Sequence, residues 1–358
     1  MAKRSIWKEE TPSADPKLQT SERIEPFEKP GGRIDTFIQQ NSPVNNEMIR
    51  NASMNNLYGQ EIDGQLKIMP TEVTVREKHG NMKPVYSLCS FSYDDNADIE
   101  LFNKHGRFRI TGYDRRVYNA ICTLFLNDRK VVSVSEIFSV MNGYAKTKPA
   151  AKQIQAIENA IAKLSSINVF IDLTEEVNAH IIKDPDILVE AGILKNRSDK
   201  IKKAVIEDKM MHCKIAVITS EQGKVTKTVS LVGEPSLLTY NRAKGTLLSI
   251  PMEYIGLTAS NATDKSYSFQ DYLLTRIIGY MNGKLKENKI LYKTIYRDSG
   301  VDEPANSKDK IRDRDLICKL MEELKQKGLI ADYEEVKDGR SYVGIVFHLG
   351  NKKGIDKK

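Results

Sequence analysis

Lysine and arginine side chains cluster near the C-terminal end of this sequence, where they could neutralise nucleic-acid phosphates and contact base edges. Residues 265–358 contain 20 Lys and Arg against 15 Asp and Glu, which accounts for five of the net charge of +7. The densest group begins a predicted helix and comprises Lys308, Lys310, Arg312 and Arg314. The first residues of a helix that enters the major groove are those that reach bases and phosphates. We therefore expect these four side chains to contact DNA.

The same run of charges has a second interpretation. Asp309, Asp313 and Asp315 alternate with the basic residues. Such alternation is typical of a solvated helix face that carries weak ion pairs. The place of this helix in the repeated pattern described below favours the DNA contact.

Two further groups of side chains could touch the same DNA. On the short helix before the basic cluster and at a later hairpin tip lie Lys293, Arg297 and Arg340. The first two could bind phosphates, and the third could enter a minor groove. An earlier helix offers Lys148, Lys152 and Gln153. A Gln side chain can pair with adenine through two hydrogen bonds, although a surface Gln also occurs simply as a helix former.

The sequence patterns of nucleotide- and metal-dependent enzymes are missing. Gly-Lys occurs at Gly223-Lys224 and Gly283-Lys284, but no Ser or Thr follows and no upstream glycine completes a phosphate-binding loop. None of the five histidines lies two or four residues from another, so no metal-binding pair is predicted. We therefore expect a protein without enzymatic activity, cofactor or metal.

Cysteine usage and hydropathy predict a cytoplasmic protein. The four cysteines include no CxxC pair, so neither a zinc site nor a disulfide framework is indicated. The sequence has no run of about 18 apolar residues, and its first 30 residues lack the apolar segment of a signal peptide.

Two blocks of the sequence predict the same succession of elements. Each reads as a helix, a short helix ending at Asn142-Gly143 or Ser299-Gly300, a long helix and then strands. The strand at 167–172 takes the same place in the first block as residues 328–333 in the second. Three helices followed by a β-hairpin form a winged helix, whose third helix enters the major groove. The predicted fold class is α+β, with two tandem winged-helix domains and a disordered N-terminal tail.

Composition and repeat boundaries together predict four regions. Residues rich in Pro and Asn cannot bury enough apolar surface to fold, which predicts a disordered N-terminal segment. The regions are a disordered polar tail at 1–80, a first winged helix at 84–250 for dimerisation and DNA contact, a second winged helix at 251–350 as the main DNA reader, and a basic tail at 351–358. A charged insertion at 184–208 departs from the simplest winged-helix pattern.

Short motifs in both blocks are shared with a known protein family. The first block carries the run YDRRVYNA at 113–120. The second block carries DYLL at 271–274, KILY at 289–292, GLI at 328–330 and DGRS at 338–341. Through these motifs the chain, over residues 91–349, resembles the plasmid-type replication initiator proteins of Gram-positive bacteria and their integrative elements.

The resemblance implies a protein that binds repeated sites in double-stranded origin DNA and recruits the host helicase and primase machinery. It also implies a switch between a monomer that starts replication and a homodimer that represses its own gene. Fold alone does not settle function. A transcriptional regulator of the same fold, a protein-binding winged-helix module and a nuclease with scattered carboxylates therefore stay open as alternatives.

Overall fold

Helices and antiparallel strands alternate along the chain, which confirms the predicted α+β class. The computed structural model describes residues 32–54, 59–62, 65–68, 71–77, 84–93, 110–196, 201–219, 225–257 and 263–350. The predictions made for residues 1–31 and 351–358 lie outside this part of the chain. Of the helices within the described ranges, none is long and apolar enough to cross a membrane.

The C-terminal module contains every element of the predicted winged helix. Its three helices are Asp264–Met281, Tyr292–Ser299 and Ser307–Gln326, and its three strands are Lys289–Leu291, Asp332–Asp338 and Ser341–His348. Numbered in chain order over the whole molecule, these are α8, α9 and α10, and β12, β13 and β14. The last two strands form the predicted hairpin across Asp338-Gly339, and β14 lies between β13 and β12. The hairpin β13–β14 is called the second wing below.

The N-terminal module repeats this arrangement. Its helices are α2 (Gly112–Leu126), α3 (Val134–Met141) and α4 (Ala151–Ser165), and its strands are β6 (Val131–Ser133), β9 (Cys213–Thr219) and β10 (Val225–Leu231). The second hairpin strand, β10, again lies in the centre, between β9 and β6. The hairpin β9–β10 is the first wing. Helix α2 begins at the predicted capping box, in which the Asp114 amide donates to the Thr111 hydroxyl and the Thr111 amide to the Asp114 carboxylate.

The strand that follows α4 does not belong to the first wing, so its predicted equivalence with residues 328–333 is wrong. Strand β7 (Ile167–Asp172) lies inside a separate antiparallel sheet with β4 (Thr71–Glu77), β5 (Val85–Tyr93) and β8 (Val205–Lys209), in the order β4-β5-β7-β8. Ile167, Val169 and Ile171 pack one face of β7 into the core. Helices α5 (Thr174–Asn178) and α6 (Pro185–Glu190) follow, so the insertion between α4 and the first wing extends beyond the predicted 184–208.

Part of the predicted disordered tail is folded. Residues Thr36–Gln40 form β1, which pairs with β11 (Leu247–Pro251), and Pro43–Met54 form α1. Strands β2 (Gly59–Ile62) and β3 (Gln65–Ile68) form a hairpin, and helix α7 (Ser236–Lys244) precedes β11. Phe37 is fully buried, and Val44 and Met48 are nearly so. The prediction of disorder is therefore wrong for these residues, because a few apolar side chains reach the core. The segment 34–50 is called the arm below.

Hydrogen bonds hold the arm together and join it to neighbouring parts of the fold. The Asn45 side chain donates to the Gln40 carbonyl oxygen (3.0 Å), and the Ser42 amide donates to the Asn241 side chain (3.1 Å). The Ile38 amide donates to the Thr123 hydroxyl of α2 (2.9 Å). The polar residues that predicted a disordered tail therefore take part in the hydrogen bonds that dock the arm.

The two modules pack through their first helices, α2 and α8. The Arg116 side chain is fully buried, and its Nη2 lies 2.6 Å from Oδ1 of Asp271 and 2.6 Å from Oε1 of Gln270. Gly112 lies so close to Ser268 that a β-carbon there would stand 2.0 Å from the Ser268 hydroxyl oxygen. Both modules fall within one compact unit from Ile34 onward.

Candidate nucleic-acid interface

Helix α10 begins at a capped turn that presents its first basic residues to solvent. The Asn306 side-chain oxygen accepts from the Asp309 amide (2.8 Å), and the Asn306 amide group donates to the Asp309 carboxylate (2.8 Å). This second bond, from Asn306, lowers the pKa of Asp309. The capping residue explains why the helix starts at Ser307, so that Lys308 falls in the first turn.

One face of α10 is exposed along its length. Its buried side carries Ile317, Leu320, Met321 and Leu324. The opposite side carries Lys308, Ile311, Arg312, Asp315 and Lys319, all of them exposed. This set, called the outward face of α10, has three positive charges and one negative charge. Its spacing of three or four residues is that of a single helix surface.

The ion pairs of the basic cluster are mostly on the surface. Arg312 Nη1 lies 3.1 Å from Asp309 Oδ1, with the two side chains 66% and 42% exposed, and Lys310 Nζ lies 2.7 Å from Glu303 Oε1. Exposed pairs contribute little and are screened by salt. A phosphate group can therefore replace either carboxylate, and the solvated-face interpretation does not by itself exclude a DNA contact.

Arg314 points to the second wing rather than along the outward face. Its Nε and Nη2 donate to the two carboxylate oxygens of Glu335 on β13, each at 2.6 Å. The guanidinium also lies 3.7 Å from the ring centre of Tyr342 on β14. Arg314 therefore fixes the wing to the third helix, and its direct DNA contact stays a prediction.

Hydrogen bonding explains the charge state of this bridge. Hydrogen bonds from Arg314 and from the Tyr292 hydroxyl (2.5 Å) hold the pKa of Glu335 below its usual value. The hydrogen bond between Arg314 and Glu335 also raises the pKa of Arg314. Both groups are charged at neutral pH, so the bridge is a charge-assisted bidentate pair.

The second wing carries two side chains that sequence reasoning missed. Lys337 and Tyr342 are paired across the hairpin, and the Lys337 ammonium lies 4.7 Å from the Tyr342 ring centre. The signal available in the sequence was the position of both residues close to the Asp338-Gly339 turn. Arg340 is exposed at the tip, next to Gly339, whose φ of +58° forms the turn. The wing tip is therefore cationic and exposed, as predicted for Arg340.

Helix α9 offers one exposed cation and one that is paired with a carboxylate. Lys293 is exposed. Arg297 donates to both oxygens of the neighbouring Asp298, at 2.7 and 3.0 Å, and Arg50 of the arm donates to the same carboxylate. Burial opposes the ionisation of Asp298, but the hydrogen bond from Arg297 and the charge of Arg50 lower its pKa below the usual value. Arg297 is thus held by a carboxylate, while Lys293 keeps its ammonium in solvent.

The third helix of the first module is less charged. Lys148 precedes α4, which begins at Ala151, so its predicted place on the helix is wrong. Lys148 and Lys152 are exposed, but the Gln153 side-chain oxygen accepts from the Ala150 amide (2.8 Å). That bond uses the oxygen of Gln153 to cap the helix, so a two-bond contact with adenine would have to break it. Gln155 and Asn159 share a hydrogen bond on the exposed side of α4. The tip of the first wing, at 220–224, lies outside the described residues.

The two third helices bind their wings from equivalent positions. Glu158 is the eighth residue of α4, and its carboxylate lies 2.8 Å from Nζ of Lys227 on β10. Arg314 is the eighth residue of α10 and pairs with Glu335 on β13. The polarity of the pair is reversed, but both pairs join helix to wing. In the same alignment Lys152 stands where Lys308 stands, in the first turn.

Comparison with known proteins gives fold likeness only. No protein family and no curated protein matches the chain. A solved structure of domains 2 and 3 of RctB is similar with a TM-score of 0.44 and 12% identity, and covers 84% of this chain and 97% of that chain. A selenomethionine derivative of the same two domains gives a TM-score of 0.42 and 10% identity over the same shares. At these values the likeness assigns neither a family nor a function to this chain.

Proposed function

We propose that this chain binds double-stranded DNA through the third helix and the wing of each module. The outward face of α10 carries the proposal, because it is exposed, positively charged and flanked by a wing anchored through Arg314. Helix α10 would lie in the major groove, with Lys308 and Arg312 on bases or phosphates. Arg340 at the wing tip would then lie on the adjacent backbone or in the minor groove.

The packing of the two modules against each other favours a composite DNA site. Arg116 and Asp271 join α2 to α8 in the interior, so both third helices would be presented by one compact unit. A protein built in this way reads two half-sites at one spacing, as winged helices and related modules do in tandem. The second module, with the cationic outward face of α10, would supply most of the affinity.

The biological role that we propose is replication initiation on a plasmid or integrative element. This step rests on the motif resemblance, in particular YDRRVYNA at 113–120 in α2 and DYLL at 271–274 in α8. It implies repeated sites in origin DNA, a homodimeric repressor form and recruitment of the host helicase and primase. We further propose that the chain is not an enzyme and acts in the cytoplasm.

Three experiments separate the proposal from its alternatives. Fluorescence anisotropy with DNA flanking the gene, at several salt concentrations, should show specific binding that weakens steeply with salt. A protein-binding winged helix would show no such DNA affinity. A minimal replicon that carries the flanking DNA should replicate only when the gene is supplied, whereas a transcriptional regulator would leave replication unchanged. Cleavage of that DNA on addition of Mg²⁺ would indicate a nuclease instead.

A further inference from the structure

A cavity of about 350 Å³ lies where the arm meets the first helices of both modules. Helix α8 contributes one continuous face to its wall, comprising Asp271, Tyr272, Thr275, Arg276 and Gly279. Helix α2 contributes Arg115, Tyr118 and Asn119. The arm, the end of α9 and residues 210, 284 and 285 close the remaining sides. None of these wall elements belongs to the third helices or wings that form the candidate nucleic-acid interface.

Four polar side chains at this cavity have atoms without a hydrogen-bond partner among the described residues; one of them, Asp271, is instead in an ion pair with Arg116, which leaves three to consider. Tyr272 is 8% exposed and Gln39 is 7% exposed, yet the Tyr272 hydroxyl and the Gln39 side-chain oxygen are both unpartnered. The Nε of Arg276 is likewise without an acceptor. Buried polar groups are nearly always paired, because leaving one unpaired costs free energy. Their convergence on one cavity therefore indicates a polar occupant.

Two hydrogen bonds fix the orientation of the Gln39 side chain. Its amide nitrogen donates to the Thr275 hydroxyl (2.9 Å) and to the Asp271 carbonyl oxygen (3.2 Å), both on α8. These two bonds hold the side chain in place and leave its oxygen as an acceptor. An occupant that carries a hydroxyl or N–H donor would satisfy it.

The charges around the cavity favour an anion. Four cationic side chains line it, namely Arg50, Arg115, Arg276 and Lys284, against the two carboxylates Asp271 and Asp298. Asp271 already pairs with Arg116, and Asp298 pairs with Arg297 and with Arg50, one of the four cations. Burial raises the pKa of Tyr272 to about 12, so its hydroxyl keeps its proton at neutral pH and can donate. The available donors are thus a phenol and a guanidinium.

Apolar side chains cover part of the remaining wall, beside several amide and hydroxyl side chains. Met48 and Ile49 of α1, Met210 and Leu285 face the same space. Small-molecule sites commonly combine such an apolar lining with a few fixed polar groups. The occupant should therefore have an apolar body and a charged end.

We propose that this cavity binds a small organic anion, with a carboxylate or phosphate on Arg276 and Tyr272, a hydrogen-bond donor on Gln39 and an apolar body against Met48 and Leu285. The site is independent of DNA binding by the third helices. Because the arm forms one wall, the occupant would stabilise the docked arm through linkage to binding.

The test uses three matched probes and the full-length protein. The probes are 4-hydroxybenzoate, 4-hydroxyphenyl phosphate and the neutral methyl ester of 4-hydroxybenzoate. Saturation-transfer NMR and calorimetric titration should show binding of the carboxylate, the phosphate or both, and at least tenfold weaker binding of the ester. The two acids tell which anionic group the site prefers.

Two variants and two matched controls locate the binding. Tyr272→Phe and Arg276→Gln should each weaken the preferred acid about tenfold or more. Tyr280→Phe on the same helix, whose ring packs on Phe347, and Arg242→Gln, which pairs with Glu234 outside the cavity, should leave it unchanged. Tyr272→Phe removes an unpartnered hydroxyl, so the thermal midpoint of this variant without probe should not fall below that of wild type.

Three results would overturn the proposal. No binding by either acid would mean that the cavity holds solvent only. Equal binding of the ester would remove the role of charge. Unchanged affinity in both cavity variants, with thermal midpoints equal to wild type, would place any binding elsewhere on the chain.

Discussion

Replacing Arg116 by Met should destabilise the protein strongly, because it leaves Asp271 buried without its partner. The Arg116 side chain is fully buried, Asp271 is 6% exposed, and their nitrogen and oxygen lie 2.6 Å apart. Removing one member of such a buried pair typically costs about 3–5 kcal/mol. Arg116 also lies over the rings of Phe37 and Tyr267, at 5.3 and 5.0 Å from their centres. Methionine keeps most of this packing, so the loss of unfolding free energy reports on the removal of the Arg116 charge.

The loss should depend on pH in a defined direction. Burial raises the pKa of Asp271, and Arg116 and Arg115 oppose that rise. Without Arg116 the folded-state pKa rises further above the unfolded value of about 4. A group with a raised folded pKa contributes stability at low pH that is lost as pH rises through that pKa. The difference between Arg116→Met and wild type should therefore be small near pH 4 and grow toward pH 7.

Urea unfolding followed by circular dichroism at several pH values measures this effect. The double variant Arg116→Met, Asp271→Asn should regain most of the stability and lose the added pH dependence, since no charge is left buried. Arg242→Met, which breaks the half-exposed pair with Glu234, is the matched control and should cost about 1 kcal/mol or less. A loss below about 1 kcal/mol for Arg116→Met, or a loss that Asp271→Asn does not restore, would refute the role of this pair in joining the modules.

Three more predictions follow from the same structure. Deleting residues 1–33 should leave the thermal midpoint unchanged, whereas deleting 1–54 should lower it because β1, α1 and the buried Phe37 are lost; equal midpoints would contradict the docked arm. Leu320→Ala should cost about 2–5 kcal/mol of unfolding free energy by opening a core cavity, with sequence preference in DNA binding unchanged. Arg314→Ala should release the second wing and weaken binding to all DNA sequences several-fold in anisotropy titrations, and a variant that binds as well as wild type would exclude wing anchoring as a contribution to affinity.

The second module could be predicted from the sequence because its elements follow one another without interruption. Local backbone features mark the ends of its elements. Helix α9 ends at Gly300, where φ is +74°, and the turn at Asp338-Gly339 joins the two strands of the wing. The first module was harder because two strands of a separate sheet, β7 and β8, are inserted between its third helix and its wing. The alternating pattern of β7 is the same whether a strand pairs in a wing or in a separate sheet. Only tertiary pairing distinguishes the two.

The docking of the arm and the ion pairs between the third helices and the wings could not be predicted from the local sequence either, because both depend on residues that are distant along the chain. The arm has few apolar residues, among them Phe37 and Val44, and many residues with amide side chains. The burial of these apolar residues depends on partners far along the chain, such as Asn241 and Thr123. The exposure of Lys308 and Arg312 could be predicted from helical spacing. That Arg314 turns instead to Glu335 on the wing could not, because the choice depends on where β13 lies against α10.

The most direct test of DNA reading by α10 is the salt dependence of affinity in the double variant Lys308→Ala, Arg312→Ala. If both side chains contact phosphates, binding should weaken and the slope of log affinity against log salt should shrink by about two units. If Arg312 contacts a base, preference at one position of the site should relax as well. Lys286→Ala, Lys289→Ala removes the same charge from exposed positions outside the outward face and should leave the sequence preference unchanged. Unchanged affinity and slope in the first double variant would show that the outward face is only solvated surface and would contradict the account.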